Sequence, residues 1–226
     1  YNIVVLEKMP VIGGNTLRCA SAFNAADPER QKLLPMTDTL KDAVVKAINE
    51  KPANADHAKL MADVKAKYEA YLKSGSKSLF DCPEWHALQT YNGGDKVGHI
   101  PLIRTYAENV LETLHWMQKH GTPVMDRVSQ GAGALWQRTH QVDAPAGTGL
   151  IEPLLKAANK EGVKIITGMR AQELIYRNGE VVGVKASDKV GNCYEFKSKY
   201  GVILATGGYS QNKEMRQKSS PVLTPD

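Results

Sequence analysis

The chain has 226 residues, 42% hydrophobic and 23% charged, which is enough apolar surface for one large domain, or a domain with an insertion, and too much for a disordered chain. Its formal net charge is +5, but the lysines are interleaved with acids, as in "ADHAKLMADVKAKYEAYLKSGSK", so no basic face is marked out for nucleic acid. Cys19, Cys82 and Cys193 lie far apart with no C-x-x-C pair, which supports neither a zinc site nor haem attachment, and no run is long and apolar enough for a membrane segment.

The first element is an apolar, mostly β-branched run, Ile3 to Leu6, which reads as a buried parallel strand covered on both faces. Glu7 closes it. In a dinucleotide-binding fold a strand-end acid that binds ribose follows the Gly-rich turn of the first βα unit by about twenty residues. No G-x-G-x-x-G occurs in the chain. Two readings stay open: Glu7 is an ordinary strand-end acid, or the first βαβ element of the fold is missing. Gly13 and Gly14 follow, a pair that lets the backbone turn close to a ligand, with the polar side chains of Asn15 and Thr16 beside it.

From Ala26 to about Pro52 the chain is polar and turn-rich, with "LKDAVVKAI" offering a short amphipathic helix. Good helix formers run from Ala55 to Lys73 and stop at "SGS". Ile103, Ala107, Val110, Leu111, Leu114 and Met117 recur on one helical face between Ile100 and Met117, and "HGTPVM" reads as a stop followed by a short extended piece. "LWQRTHQVDAPAGTG" is a polar segment between apolar ones, and its lone His140 is read first as a structural hydrogen-bonding residue. No Ser, His and Asp order fits a hydrolase elbow, and "GTG" lacks the Lys of a phosphate-binding loop.

A helix from about Leu150 to Lys160 and the strand "VKIITG" come next. Asn178-Gly179 between alternating runs predicts a type I′ hairpin turn, and Val190-Gly191-Asn192 marks a second reversal. Residues of about 171–198 therefore read as a three-stranded antiparallel meander. Val202 to Ala205 read as an apolar strand ending in "TGG". The expected fold class is α/β: a parallel sheet with strands near 2–7, 163–167 and 201–205, a helical insertion of about 37–120, and the β-meander.

Taken together, "VVLEKMPVIGGNT", "FNA", "RTH", "GTGLIEPLLKAANKEG" and "VILATGGYSQNKEM" resemble, in order and spacing, the FAD-binding domain of the fumarate reductase and succinate dehydrogenase flavoprotein family, in particular its flavocytochrome c fumarate reductase-like and urocanate reductase-like members. The resemblance covers nearly the whole chain, loosely over 27–98 and closely at both ends. It implies that residues 1–226 form a partial, three-layer FAD-binding domain whose capping and substrate domain lies outside the chain, so that this chain alone is inactive.

The same resemblance implies site residues. Glu7 would bind the adenosine ribose of FAD and Lys8 the adenine side. Gly13, Gly14, Asn15 and Thr16 would run along the diphosphate and ribityl chain. Ala20 and Ser21 would pass the isoalloxazine ring, although Ser21 and Ala22 stand where the family writes two glycines. Ala171 would bracket the adenine through its backbone, and Thr206 and Gly207 would face the cofactor from a strand end. No metal is implied. The catalytic arginine and the carboxylate-clamping residues follow "GGYSQNKEM" in the family, so no catalytic residue is named here and Arg104, Arg127 and Arg138 are not promoted to the role. The implied activity is hydride transfer from reduced flavin to the C=C bond of a small unsaturated carboxylate, with a cytochrome- or FMN-bearing domain or protein as electron donor. Alternatives are an L-aspartate oxidase-type or 3-ketosteroid dehydrogenase-type flavoenzyme, or a non-catalytic fragment or binding module.

Overall fold

The computed structural model describes residues 2–220. In chain order its elements are β1 (Val4–Glu7), a 3-10 turn (Gly14–Arg18), β2 (Ala22–Asn24), α1 (Pro28–Gln31), α2 (Asp38–Ile48), α3 (Ala55–Lys73), α4 (Pro83–Gly93), α5 (Ile100–Lys119), β3 (Val124–Ser129), β4 (Thr139–Val142), α6 (Thr148–Lys160), β5 (Lys164–Thr167), β6 (Arg170–Arg177), β7 (Glu180–Ser187), β8 (Cys193–Lys197) and α7 (Lys213–Ser219). They divide into two compact units. One is Gly13–Lys164 with the first residues of the chain; the other joins Val4–Ile12 to the residues from Ile165 onward.

The larger unit is built on α2–α5. Thr37 and Asn54 cap α2 and α3 by accepting the Leu40 and His57 N–H groups, so both helices start where their side chains satisfy orphan donors. The expected apolar face of α5 is buried at Ala107, Val110, Leu114 and Met117. Val44, Leu60, Val64, Trp85 and Leu88 pack with Trp136, whose ring meets Trp85 edge-on at 5.2 Å and whose Nε1–H donates to the Phe80 carbonyl at 2.9 Å. Beside this helical core lies an antiparallel sheet in the order β2-β4-β3. No described helix is long and apolar enough to cross a membrane.

The smaller unit holds two sheets. β1 and β5 form a two-stranded parallel pair, and β6-β7-β8 form the antiparallel meander. Asn178 and Gly179 have φ of 53° and 83°, the double positive φ that a type I′ turn requires.

Two expectations are corrected. Val4 and Val5 are 45% and 43% exposed, because the β1–β5 pair has two strands and too little sheet to cover both faces. Residues 202–205 form no strand, and Ile203 is 94% exposed. An apolar run becomes a strand only against a ladder partner; just before it the Gly201 N–H turns back onto Ser198 Oγ at 3.0 Å.

Candidate functional site

In the smaller unit, β1 ends on Glu7, whose Oε1 accepts the Met9 N–H at 2.7 Å. That bond fixes the carboxylate at the strand end and leaves Oε2 without a partner among the described residues. The Glu7 and Met9 carbonyls accept the N–H groups of Met169 and Gly168 at 2.9 and 3.0 Å, so the β5–β6 turn is stitched to the segment following β1. Ala171 lies in the first turnings of β6, exposed, opposite Ala186 of β7. Because β6 is an edge strand, alternate N–H and C=O groups along it point away from β7, and such groups match the polar edge of a purine. Lys8 lines a groove with Arg170. Glu7 and Lys8 thus lie beside the β5–β6 turn, and Ala171 follows that turn as the second residue of β6. Thr206 and Gly207 belong to the same unit but lie exposed outside any strand, with Gly207 at a φ of 74°.

In the larger unit, Gly13 (φ 106°) and Gly14 (φ 49°) open the 3-10 turn that carries Asn15 and Thr16, both exposed. The left-handed backbone explains the double glycine. The loop before α6 is clasped to this segment. Gln141 Nε2 donates to the Ala20 carbonyl at 2.6 Å, the Val142 N–H to the Ser21 carbonyl at 3.1 Å and the Gly147 N–H to the Leu17 carbonyl at 3.4 Å. Ser21 Oγ donates to the Ala146 carbonyl. Ser21 is 1% exposed and, like Ala146, holds a positive φ. Its side chain is committed to this clasp, its N–H donates to Cys19 Sγ at 3.3 Å and its carbonyl accepts the Val142 N–H. At Gly147 a Cβ would stand 1.7 Å from the Thr16 carbonyl oxygen, so only glycine permits the approach.

The polar "RTH" segment is buried, with Thr139 and His140 opening β4 and Arg138 just before it. Arg138 Nε and Nη2 grip Asp81 at 2.9 and 2.7 Å, and Gln31 Nε2 also bonds that carboxylate. His140 Nε2 lies 3.0 Å from Asp27 Oδ2, and Thr139 Oγ1 donates to Asn24 Oδ1 at 2.7 Å. Burial pushes the Asp27 carboxyl up, but the bonds from His140 and Arg30 outweigh it and hold the group at about 2. Asp27 also caps α1. These interior contacts, the Arg138–Asp81 ion pair and the His140–Asp27 hydrogen bond, tie β4 and the residue before it to α1 and to the start of α4, and Arg138 and His140 are consumed by them. Arg104 is likewise paired, with Asp63 at 2.6 Å. Asp27 and Asp81 were missed in the sequence, where only "DP" before a short helix signals the cap of α1.

A free strand-end carboxylate oxygen and a strand edge are groups of the kind that suit an adenosine, and a left-handed glycine turn is of the kind that suits a diphosphate, each within its own unit. Comparison with known proteins shows the family. A family model described as FAD binding domain matches residues 70–225. The chain is 33% identical over 232 residues to an NADH:acrylate oxidoreductase of Vibrio harveyi, covering 96% of this chain and 23% of that protein. It is 27% identical to a urocanate reductase of Eggerthella lenta, covering 98% of this chain and 30% of that protein. A solved structure of the open conformation of a flavocytochrome c3 fumarate reductase superposes with a TM-score of 0.69 at 25% identity, over 97% of this chain and 32% of that one. The chain therefore spans between a fifth and a third of the length of these relatives.

Proposed function

The chain belongs to the FAD binding domain family, and we propose that it is the flavin-binding part of a reductase that saturates the C=C bond of a small unsaturated carboxylate. FAD is the cofactor of such domains, and when bound and reduced it supplies hydride. Within the chain, Glu7 accepts ribose hydroxyls through Oε2, and Lys8 and the Ala171 backbone hold the adenine. The N–H groups around Gly13 and Gly14 follow the diphosphate, with Asn15 and Thr16 as polar neighbours. The main chain at Ala20 and Ser21 is assigned to the ring system, and Thr206 and Gly207 are assigned to the cofactor as well. A carboxylate at Glu7 also disfavours a 2′-phosphate by repulsion, which suits FAD.

The reading of the substrate rests on one observation, the 33% identity to a protein named for acrylate reduction across almost the whole chain. Arg104 and Arg138 already hold carboxylates of this chain, so neither is offered as proton donor or substrate clamp. Electrons then come from a cytochrome- or FMN-bearing domain or partner. The test is oxidation of reduced viologen dye by the full-length protein with acrylate, fumarate and urocanate in turn. Turnover with one of them supports the reading, and a flavin-loaded protein that oxidises dye with none of them rejects it.

A further inference from the structure

The groove beside Glu7 has a wall that the sequence did not point to. Asp188 builds the β7–β8 turn: its Oδ1 accepts the N–H groups of Val190 and Asn192 at 3.0 and 2.9 Å, and its Oδ2 accepts Asn192 Nδ2 and the Tyr194 hydroxyl at 2.8 and 3.1 Å. With both oxygens engaged, Asp188 fixes the position of its neighbour Lys189. The Lys189 stem lies across Gly168, so close that a Cβ on Gly168 would meet Lys189 Cε at 3.4 Å and Cγ at 3.8 Å. Gly168 itself donates its N–H to the Met9 carbonyl two residues beyond Glu7. Lys189 thus reaches from one turn over the other toward the end of β1.

The groove so formed is lined by Lys8, Met9, Gly168, Arg170, Ser187 and Lys189, with Asp188 behind. Lys8, Arg170 and Lys189 have no ion-pair partner among the described residues, and the one acid at the groove is occupied by its own turn. Unpaired cations around a concave surface suit a ligand that offers lone pairs and a π face, as a purine does.

We propose that Lys189 is an adenosine-binding residue of this chain, held over the purine end of the flavin dinucleotide by the Asp188-built turn and by its packing on Gly168. The proposal rests on the reading of the chain as an FAD domain. A contact of this kind is worth roughly threefold to tenfold in affinity.

The experiment is titration of the full-length apo-protein with FAD and with FMN, which lacks the adenosine, followed by flavin fluorescence for wild type, Lys189→Ala and Lys189→Arg. The expected result is a loss of FAD affinity in Lys189→Ala, substantial recovery in Lys189→Arg, and the same FMN affinity in all three. Unchanged FAD affinity in Lys189→Ala overturns the proposal, as does an equal loss for FAD and FMN, which would make Lys189 a fold residue. A wild type that takes up no FAD overturns the family reading as well, and is distinguishable because it appears before any substitution is made.

Discussion

His140 Nε2 and Asp27 Oδ2 lie 3.0 Å apart with both side chains buried, joining two segments that are 113 residues apart in the sequence. The same carboxylate binds Arg30 at 2.8 Å and caps α1. Removing one partner of such a cluster leaves the others desolvated and unpaired, which costs about 3–5 kcal/mol. Asp27→Ala should therefore lower unfolding stability by about that amount in chemical denaturation, and Asp27→Asn, which keeps the cap, should cost less. A loss below about 1 kcal/mol in Asp27→Ala would show that the cluster does not hold β4.

Gly147 makes a second prediction. Its φ is an ordinary −81°, so backbone strain is not at issue; the constraint is the Thr16 carbonyl, 1.7 Å from the position of a Cβ. Gly147→Ala must push the loop before α6 off the glycine turn, at about 1–3 kcal/mol for an overpacked contact. Faster amide exchange at residues 14–21 and 146–150 is the expected readout. Exchange unchanged from wild type would mean that the clasp gives way without effect.

Two buried histidines set a pH dependence. Burial, with Arg138 adding repulsion, holds His86 at about 3, and burial also lowers His57. Both are depressed from an unfolded value near 6.5, so below that pH the unfolded chain binds protons that the folded chain refuses. Their stabilising contribution is complete above about pH 6.5 and is lost as pH falls toward the folded values, at up to about 1.4 kcal/mol per pH unit for each group. Denaturation midpoints should drop between pH 7 and 5, and the drop should shrink in His86→Phe. A flat profile contradicts the burial of these rings.

Much of the fold was legible because local chemistry and tertiary structure agree. The helix formers from Ala55 and the "SGS" stop bound α3 as read, and Asn178-Gly179 forms the turn that its φ requirement predicts. α4 escaped notice because Trp85, His86, Ala87, Leu88 and Tyr91 are buried around much of its circumference, leaving no amphipathic stripe to read. β4 was not read as a strand because its polar residues are satisfied by Asp27 and Asn24, whose distance in sequence hides the pairing. Residues 202–205 show the opposite failure, an apolar run without a ladder. Of the candidate site, Glu7 announced itself by ending a strand, whereas Lys189 enters only through its packing on Gly168, which no linear pattern encodes.

The most direct test of the central claim, that this chain holds the adenosine end of FAD at the end of β1, is FAD titration of full-length apo-protein carrying Glu7→Ala. Loss of a hydrogen bond to a charged group, about 1.5–3 kcal/mol, predicts a tenfold to hundredfold weaker affinity, roughly, than wild type. Equal affinity of the two proteins would contradict the assignment and leave Glu7 an ordinary acid at the end of a strand.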